Sequence, residues 1–131
     1  MELYAMESII TTQLKTRVPR LLGDAYPNIS FTNEISDKTP SFPNVYIREI
    51  DSTELGNTLV NQTVHAIRDS YQIDVTTNTS KSDCRKVANA CVSAMKALSF
   101  SITSMPIYLK NENVHRFVIR AQRVVAQGDT F

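Results

Sequence analysis

Glycine is scarce in this chain, three among 131 residues, and cysteine and histidine occur only twice each. Each shortage removes a class of chemistry. Three scattered glycines cannot build the loop that cradles a phosphate in P-loop or dinucleotide-binding proteins. Two cysteines and two histidines without a Cys-x-x-Cys pair do not match zinc-binding spacing. Cys84 and Cys91 fall two helical turns apart, roughly 10.5 Å, whereas a disulfide needs Cα atoms within about 7 Å. They read as reduced, small apolar side chains of a core, which fits synthesis in a reducing cytoplasm. No apolar run approaches the roughly 20 residues that cross a bilayer. The N-terminal stretch carries Glu2 and Glu7 and lacks a basic start, so no secretory signal is expected. Without a secretory route, the Asn-x-Ser/Thr triplets at Asn28, Asn61 and Asn78 have no consequence.

An active site is missing as well. A catalytic constellation pairs a nucleophile or an acid and a base with an orienting group. His65 and His115 each sit in a predicted strand with no carboxylate at a telling spacing, and a structural or solvent-facing role is expected for both. Asp69 and Asp74 lie on opposite faces of one strand and cannot act as a carboxylate pair. The expectation is a protein that is not an enzyme and holds no cofactor or metal.

What is present is hydrophobic patterning. The hydrophobic fraction of 42% and charged fraction of 21% are those of an ordinary globular chain rather than a disordered one. Tyr71, Ile73 and Val75 alternate with Gln72 and Asp74, the period of a half-buried strand. Thr77-Asn78-Thr79 breaks that pattern. Ser80 then caps a helix whose apolar stripe runs through Cys84, Val87, Ala88, Cys91, Met95 and Leu98, with Asp83 placed to reach back toward the cap. Arg85, Lys86, Asn89, Ser93 and Lys96 occupy the other side. Two more strands follow, near Phe100–Leu109 and Val114–Val125, with Lys110–Asn113 turning between them. In the second of them Arg116, Val118, Arg120 and Gln122 share one face, and Phe117, Ile119, Ala121 and Arg123 the other.

Upstream, Leu3, Met6, Ile10, Leu14, Val18 and Leu21 follow helical spacing. Pro19 is expected to kink or loosen the last turn, and Gly23 to stop it. A short strand near Ile29–Asn33 and a loop over Ile35–Phe42 precede a strand from Pro43 to Asp51. There Tyr46, Arg48 and Ile50 alternate with Val45, Ile47 and Glu49, so both faces carry apolar residues. Such a strand is central, or its second face meets another subunit. Ser52–Gln62 is polar and is expected to be a mobile hairpin tip that orders on assembly. The whole reads α-β-β-β-α-β-β. This is an α+β fold: an antiparallel or mixed sheet, an N-terminal helix and a second amphipathic helix packed on one face, and a long β-hairpin. A single domain over 1–126 is expected, with a mobile tail at 127–131.

Net charge is only +1, which does not single out nucleic acid as a partner. Its distribution is uneven. Residues 28–79 carry three cations against seven acids, and residues 80–126 carry eight against two. Two unlike surfaces on one subunit suit head-to-tail contacts between copies. The candidate contact residues are Tyr46, Arg48, Glu49, Ile50, Asp51 and Glu54 on one side and Arg116 and Arg120 on the other. In this reading the arginines meet carboxylates of the next copy, and Tyr46 and Ile50 supply apolar area. The competing class is a nucleic-acid-binding module using Lys81, Arg85, Lys86, Arg116 and Arg120. It lacks aromatic residues interleaved with the strand arginines, because Phe117 faces the other way.

Over nearly its whole length the chain resembles the tail terminator (tail completion, head-to-tail joining) proteins of long-tailed bacteriophages. The resemblance rests on the leading helix with Leu14 and Pro19, the PNVYIREI strand at Pro43–Ile50, the polar loop after it, and Ser70–Phe100, SYQIDVTTNTSKSDCRKVANACVSAMKALSF. The closing HRFVIRAQRVV strand at His115–Val125 completes it. It implies a structural virion protein at the junction of tail and neck, assembled in the host cytoplasm as a homohexameric ring. Its partners would be the major tail tube protein and a head-tail connector or neck protein. Double-stranded DNA would pass through the lumen without specific binding, and no membrane would be involved. Another neck component or a tail-tube-like connector is the neighbouring reading.

Overall fold

The structure is a computed structural model that describes residues 6–34, 41–54, 66–111 and 113–126. The predicted element order holds throughout: α1 (Met6–Leu21), β1 (Ser30–Thr32), β2 (Asn44–Glu54), β3 (Ala66–Thr77), α2 (Lys81–Ala97), β4 (Ser101–Asn111) and β5 (Val114–Ala126). The expectations for residues 35–40 of the first loop, residues 55–62 of the polar loop, His65, Leu3 and the tail at 127–131 lie outside the described residues.

The five strands form one mixed sheet in the order β1-β2-β3-β5-β4. β1 runs parallel to β2, and the remaining neighbours are antiparallel. β5 therefore inserts between β3 and β4, which α2 connects, giving a split β-α-β arrangement. Both helices lie on one face, which we call the inner face.

The core forms there. In α1, Met6, Ile10, Leu14 and Val18 recur every fourth residue and are fully buried. The apolar stripe of α2 is buried from Cys84 to Leu98, against Ile73, Val75, Phe117 and Ile119 of β3 and β5. Each such side chain contributes roughly 1.5–3 kcal/mol relative to exposure. α1 packs along the flank of α2, so burial also reaches Ala90, Val92 and Ala94, wider than a single stripe against a sheet requires. Leu21 departs from expectation. It is 55% exposed, and Leu22, four residues after Val18, packs against the core instead.

The helix ends follow local chemistry. Pro19 lies inside α1, which continues to Leu21. Gly23 then adopts φ 62°, with its amide bonded to Arg20 O and that of Asp24 to Pro19 O. Ser80 Oγ accepts from the Asp83 amide at 3.1 Å, as a cap should. The Asp83 carboxylate, expected to reach back to the cap, accepts instead from Thr79 Oγ1 (2.7 Å) and Tyr26 Oη (3.0 Å). These hydroxyls hold its pKa below the usual carboxylate range. At the other end Ser99 takes the left-handed position, φ 69°, with its amide on Lys96 O and that of Phe100 on Met95 O. Both cysteines are free and buried. Burial pushes the Cys84 thiol up to about 11 and the Cys91 thiol to about 12.

Candidate interaction surface

With both helices on the inner face, the outer face of the sheet is left without a covering layer among the described residues. Alternation assigns its side chains, and register aligns them across the strands. Arg48, Gln72, Arg120 and Ser104 form one row, Tyr46, Asp74, Val118 and Ile107 the next, and Asn44, Thr76, Arg116 and Leu109 a third. Opposed residues across antiparallel strands lie about 4.5–5.5 Å apart and interact directly.

The centre of this face is polar and already bonded. Arg116 Nη2 forms an ion pair with Asp74 Oδ2, whose side chain is only 10% exposed. Gln72 Nε2 donates to Asp74 Oδ1 at 3.0 Å, and Arg120 Nε donates to Gln72 Oε1 at 3.2 Å. Gln72 and Asp74 are both buried. Arg116 and Arg120 therefore share one face, as the strand alternation requires, but both find acceptors within their own chain. The sequence reading missed this because it had no means of placing β5 beside β3.

Toward β4 the outer face turns apolar. Ile107 is 55% exposed and Leu109 48%, and Met105 is exposed beside them. β4 is an edge strand whose register against β5 shifts between Ile102 and Ser104 and again between Ser104 and Ile107. Pro106, which has no amide hydrogen, lies in the second shift.

The candidate residues of β2 fall on more than one surface. Tyr46, Arg48 and Asp51 pair with outer-face residues of β3, whereas Glu49 pairs with Tyr71 on the inner face. A β-bulge between Glu49 and Asp51 leaves Ile50 without a partner in β3 and 42% exposed. It thereby interrupts the simple alternation that grouped Ile50 with Tyr46 and Arg48. Glu54 closes the strand opposite Ile67.

Beside the bulge is a cluster of acids that the sequence reading did not connect. The Glu49 amide donates to Glu7 Oε2 of α1 at 2.9 Å, and Tyr71 Oη donates to Glu49 Oε2 at 3.3 Å. Asp69, next along the inner face of β3, is fully buried beside the Glu49 carboxyl and the Tyr71 phenol, and neither carboxyl oxygen makes a hydrogen bond of good geometry. Burial first, and the nearby Glu49 second, raise its pKa to about 8. Burial and the same acids push the Tyr71 phenol far above its ordinary value. A Glu7 aligned with Glu49 through a helix-to-strand contact has no signature in sequence spacing.

The cations of the nucleic-acid reading are divided between two sides. Lys81 Nζ lies 4.3 Å from the ring centroid of Tyr108, and Arg85 Cζ 5.3 Å from that of Phe117, both on the helix side of the sheet. Lys86 lines an open groove of about 510 Å³ between α1 and α2 with Leu21, Tyr26 and Asn89. Arg116 and Arg120 are on the far face. His115 Nδ1 and Tyr108 Oη share a hydrogen bond of 2.7 Å, a structural role. Among the described residues no three His, Cys, Asp or Glu side chains are grouped to hold a metal ion, and no helix is long and apolar enough to cross a membrane.

No protein-family model and no curated protein matches the chain. Among solved structures, a chain from the virion of a native gene transfer agent particle aligns over 86% of this chain and 90% of its own. The TM-score is 0.44 and the identity 12%. A likeness of that degree settles neither fold family nor function.

Proposed function

We propose that this protein is a structural virion component, a tail terminator that forms a ring on the end of a phage tail tube, stops its growth and joins it to the neck. The observation that supports the ring is the presence of two unlike surfaces on opposite sides of β3 that no other described residues cover. The β4–β5 side of the outer face is apolar and flanked by arginines, and the β2 bulge is acidic. One subunit bearing both makes heterologous contacts, which close into a ring when the rotation per copy divides a full turn. The sequence resemblance over Ser70–Phe100 and His115–Val125 supplies the tail-terminator part of the reading. The tube protein and a connector protein are the partners that this role needs.

A nucleic-acid-binding module is less well supported, because its five cations do not share a surface. Two tests apply. Native mass spectrometry of the purified chain should show one closed oligomer. Added to tube protein during polymerisation, the chain should shorten the tubes and be found at one tip. A chain that stays monomeric and leaves tube length unchanged would overturn the reading.

A further inference from the structure

We infer that the β2 bulge of one copy docks on the apolar β4–β5 strip of the next, with Ile50 as the anchor and Ile107 and Leu109 as its seat. This rests on the ring-forming reading and names the contact that would build it. Ile50 is an apolar side chain left out of its own ladder, exposed, and flanked in sequence by Glu49 and Asp51. Ile107 and Leu109 are exposed on the outer face beside Val118 and Arg116, with Arg120 one row away. An apolar knob with Asp51 on its outer-face side, and Glu49 turned to the inner face beside Tyr71, thus meets an apolar strip bordered by two guanidinium groups.

The match is of area and of charge together, and it is what selects a second copy as the occupant. A nucleic-acid backbone would satisfy the arginines but gain nothing from Ile107 and Leu109. β2 and β4 lie at opposite sides of the sheet with β3 and β5 between them, so the two elements cannot meet within one chain. The contact is therefore between unlike surfaces and repeats from copy to copy. β4 takes part through its face rather than its edge, because Pro106 and two register shifts interrupt the row of amides that an added strand would need. Arg116, tied to Asp74, serves as a fixed border, and Arg120 is the more exposed of the two charges.

Cross-linking tests the contact directly. Ile50→Cys and Ile107→Cys are both surface substitutions, and the native Cys84 and Cys91 thiols are buried and poor nucleophiles. A mixture of the two single variants should form a disulfide-linked dimer on mild oxidation, and each variant alone should not. The chain carrying both should give a ladder ending at the ring size. In parallel, Ile50→Ser and Leu109→Ser should each weaken self-association about tenfold to a hundredfold, the worth of one buried aliphatic side chain, with unchanged unfolding. Rings that assemble at wild-type concentration with no mixed disulfide would overturn this contact while leaving the ring reading intact. A chain that is monomeric at every concentration would overturn both. A disulfide formed by Ile50→Cys alone would also overturn it, since that requires two bulges to meet symmetrically.

Discussion

Asp69 is the residue whose chemistry is least expected from its place in the chain. It occupies an inner-face position of β3, where its neighbours Ile67, Tyr71, Ile73 and Val75 are core. It is fully buried there without a hydrogen bond of good geometry. The groups around it are Glu49 from β2, Glu7 from α1 and Tyr71 from its own strand, while Arg123, opposite it on β5, donates to Leu98 O at 2.8 Å. Its folded pKa of about 8 lies above the unfolded value of 3.8. The folded state therefore binds the extra proton, and the stability this contributes is complete below pH 4 and lost as pH rises toward 8. Asp69→Asn keeps the shape and cannot ionise. It should flatten the fall in unfolding midpoint between pH 5 and pH 8 and raise stability near pH 8 by roughly 1–3 kcal/mol. Equal pH profiles for the two proteins would show that Asp69 is charged in the fold. The two strand arginines should also part company. Arg116→Met leaves Asp74 without its ion pair and should cost about 1–3 kcal/mol. Arg120→Met gives up one hydrogen bond from an exposed side chain and should stay within about 1 kcal/mol. Chemical denaturation of both variants distinguishes them, and equal losses would mean that the Asp74 pair carries no special weight.

At the scale of elements, helix caps and strand periods were legible, because they are written in neighbouring residues. Ser80, the stripe Cys84–Leu98 and the alternation in β3 and β5 each identify an element without knowledge of anything distant. Two things were not legible. Strand order depends on pairing between β3 and β5 across α2 and β4, a contact among residues 38 to 60 apart that leaves no local mark. The bulge at Ile50 is invisible because Val45–Asp51 alternates without a break in sequence and slips only against its partner. The end of α2 offers a test of the local rules. Ser99 holds a left-handed conformation that costs a residue with a Cβ roughly 1 kcal/mol. Ser99→Gly should therefore stabilise by up to about 0.5 kcal/mol after its own entropy loss in the unfolded chain. Gly23→Ala at the end of α1, where φ is also positive and the space is open, should destabilise by a similar amount. Thermal melts of the two proteins should shift in opposite directions, and shifts of one sign would show that tertiary packing rather than conformation governs both ends.

For the whole molecule, the division of charge along the chain becomes a division in space that the sequence only half conveyed. Eight cations in residues 80–126 look like one basic region. The sheet separates them, because α2 carries Lys81, Arg85, Lys86 and Lys96 on one side while β5 carries Arg116 and Arg120 on the other. A duplex touching the outer face would meet Arg48, Arg68 and Arg120, with Arg116 already paired to Asp74. One touching the helix face would meet the α2 cations without those. Either approach neutralises no more than about four phosphates, so the slope of log K against log salt for duplex DNA should be no steeper than about −4. A binder using both sets together would approach about −6. Fluorescence anisotropy with a short labelled duplex between 50 and 200 mM salt resolves that difference, since such slopes change affinity by roughly a hundredfold in one case and ten-thousandfold in the other. A steep slope would mean that subunits combine their two faces around one duplex. A shallow slope with micromolar or weaker binding is the expected result for a subunit whose basic rows border a protein contact.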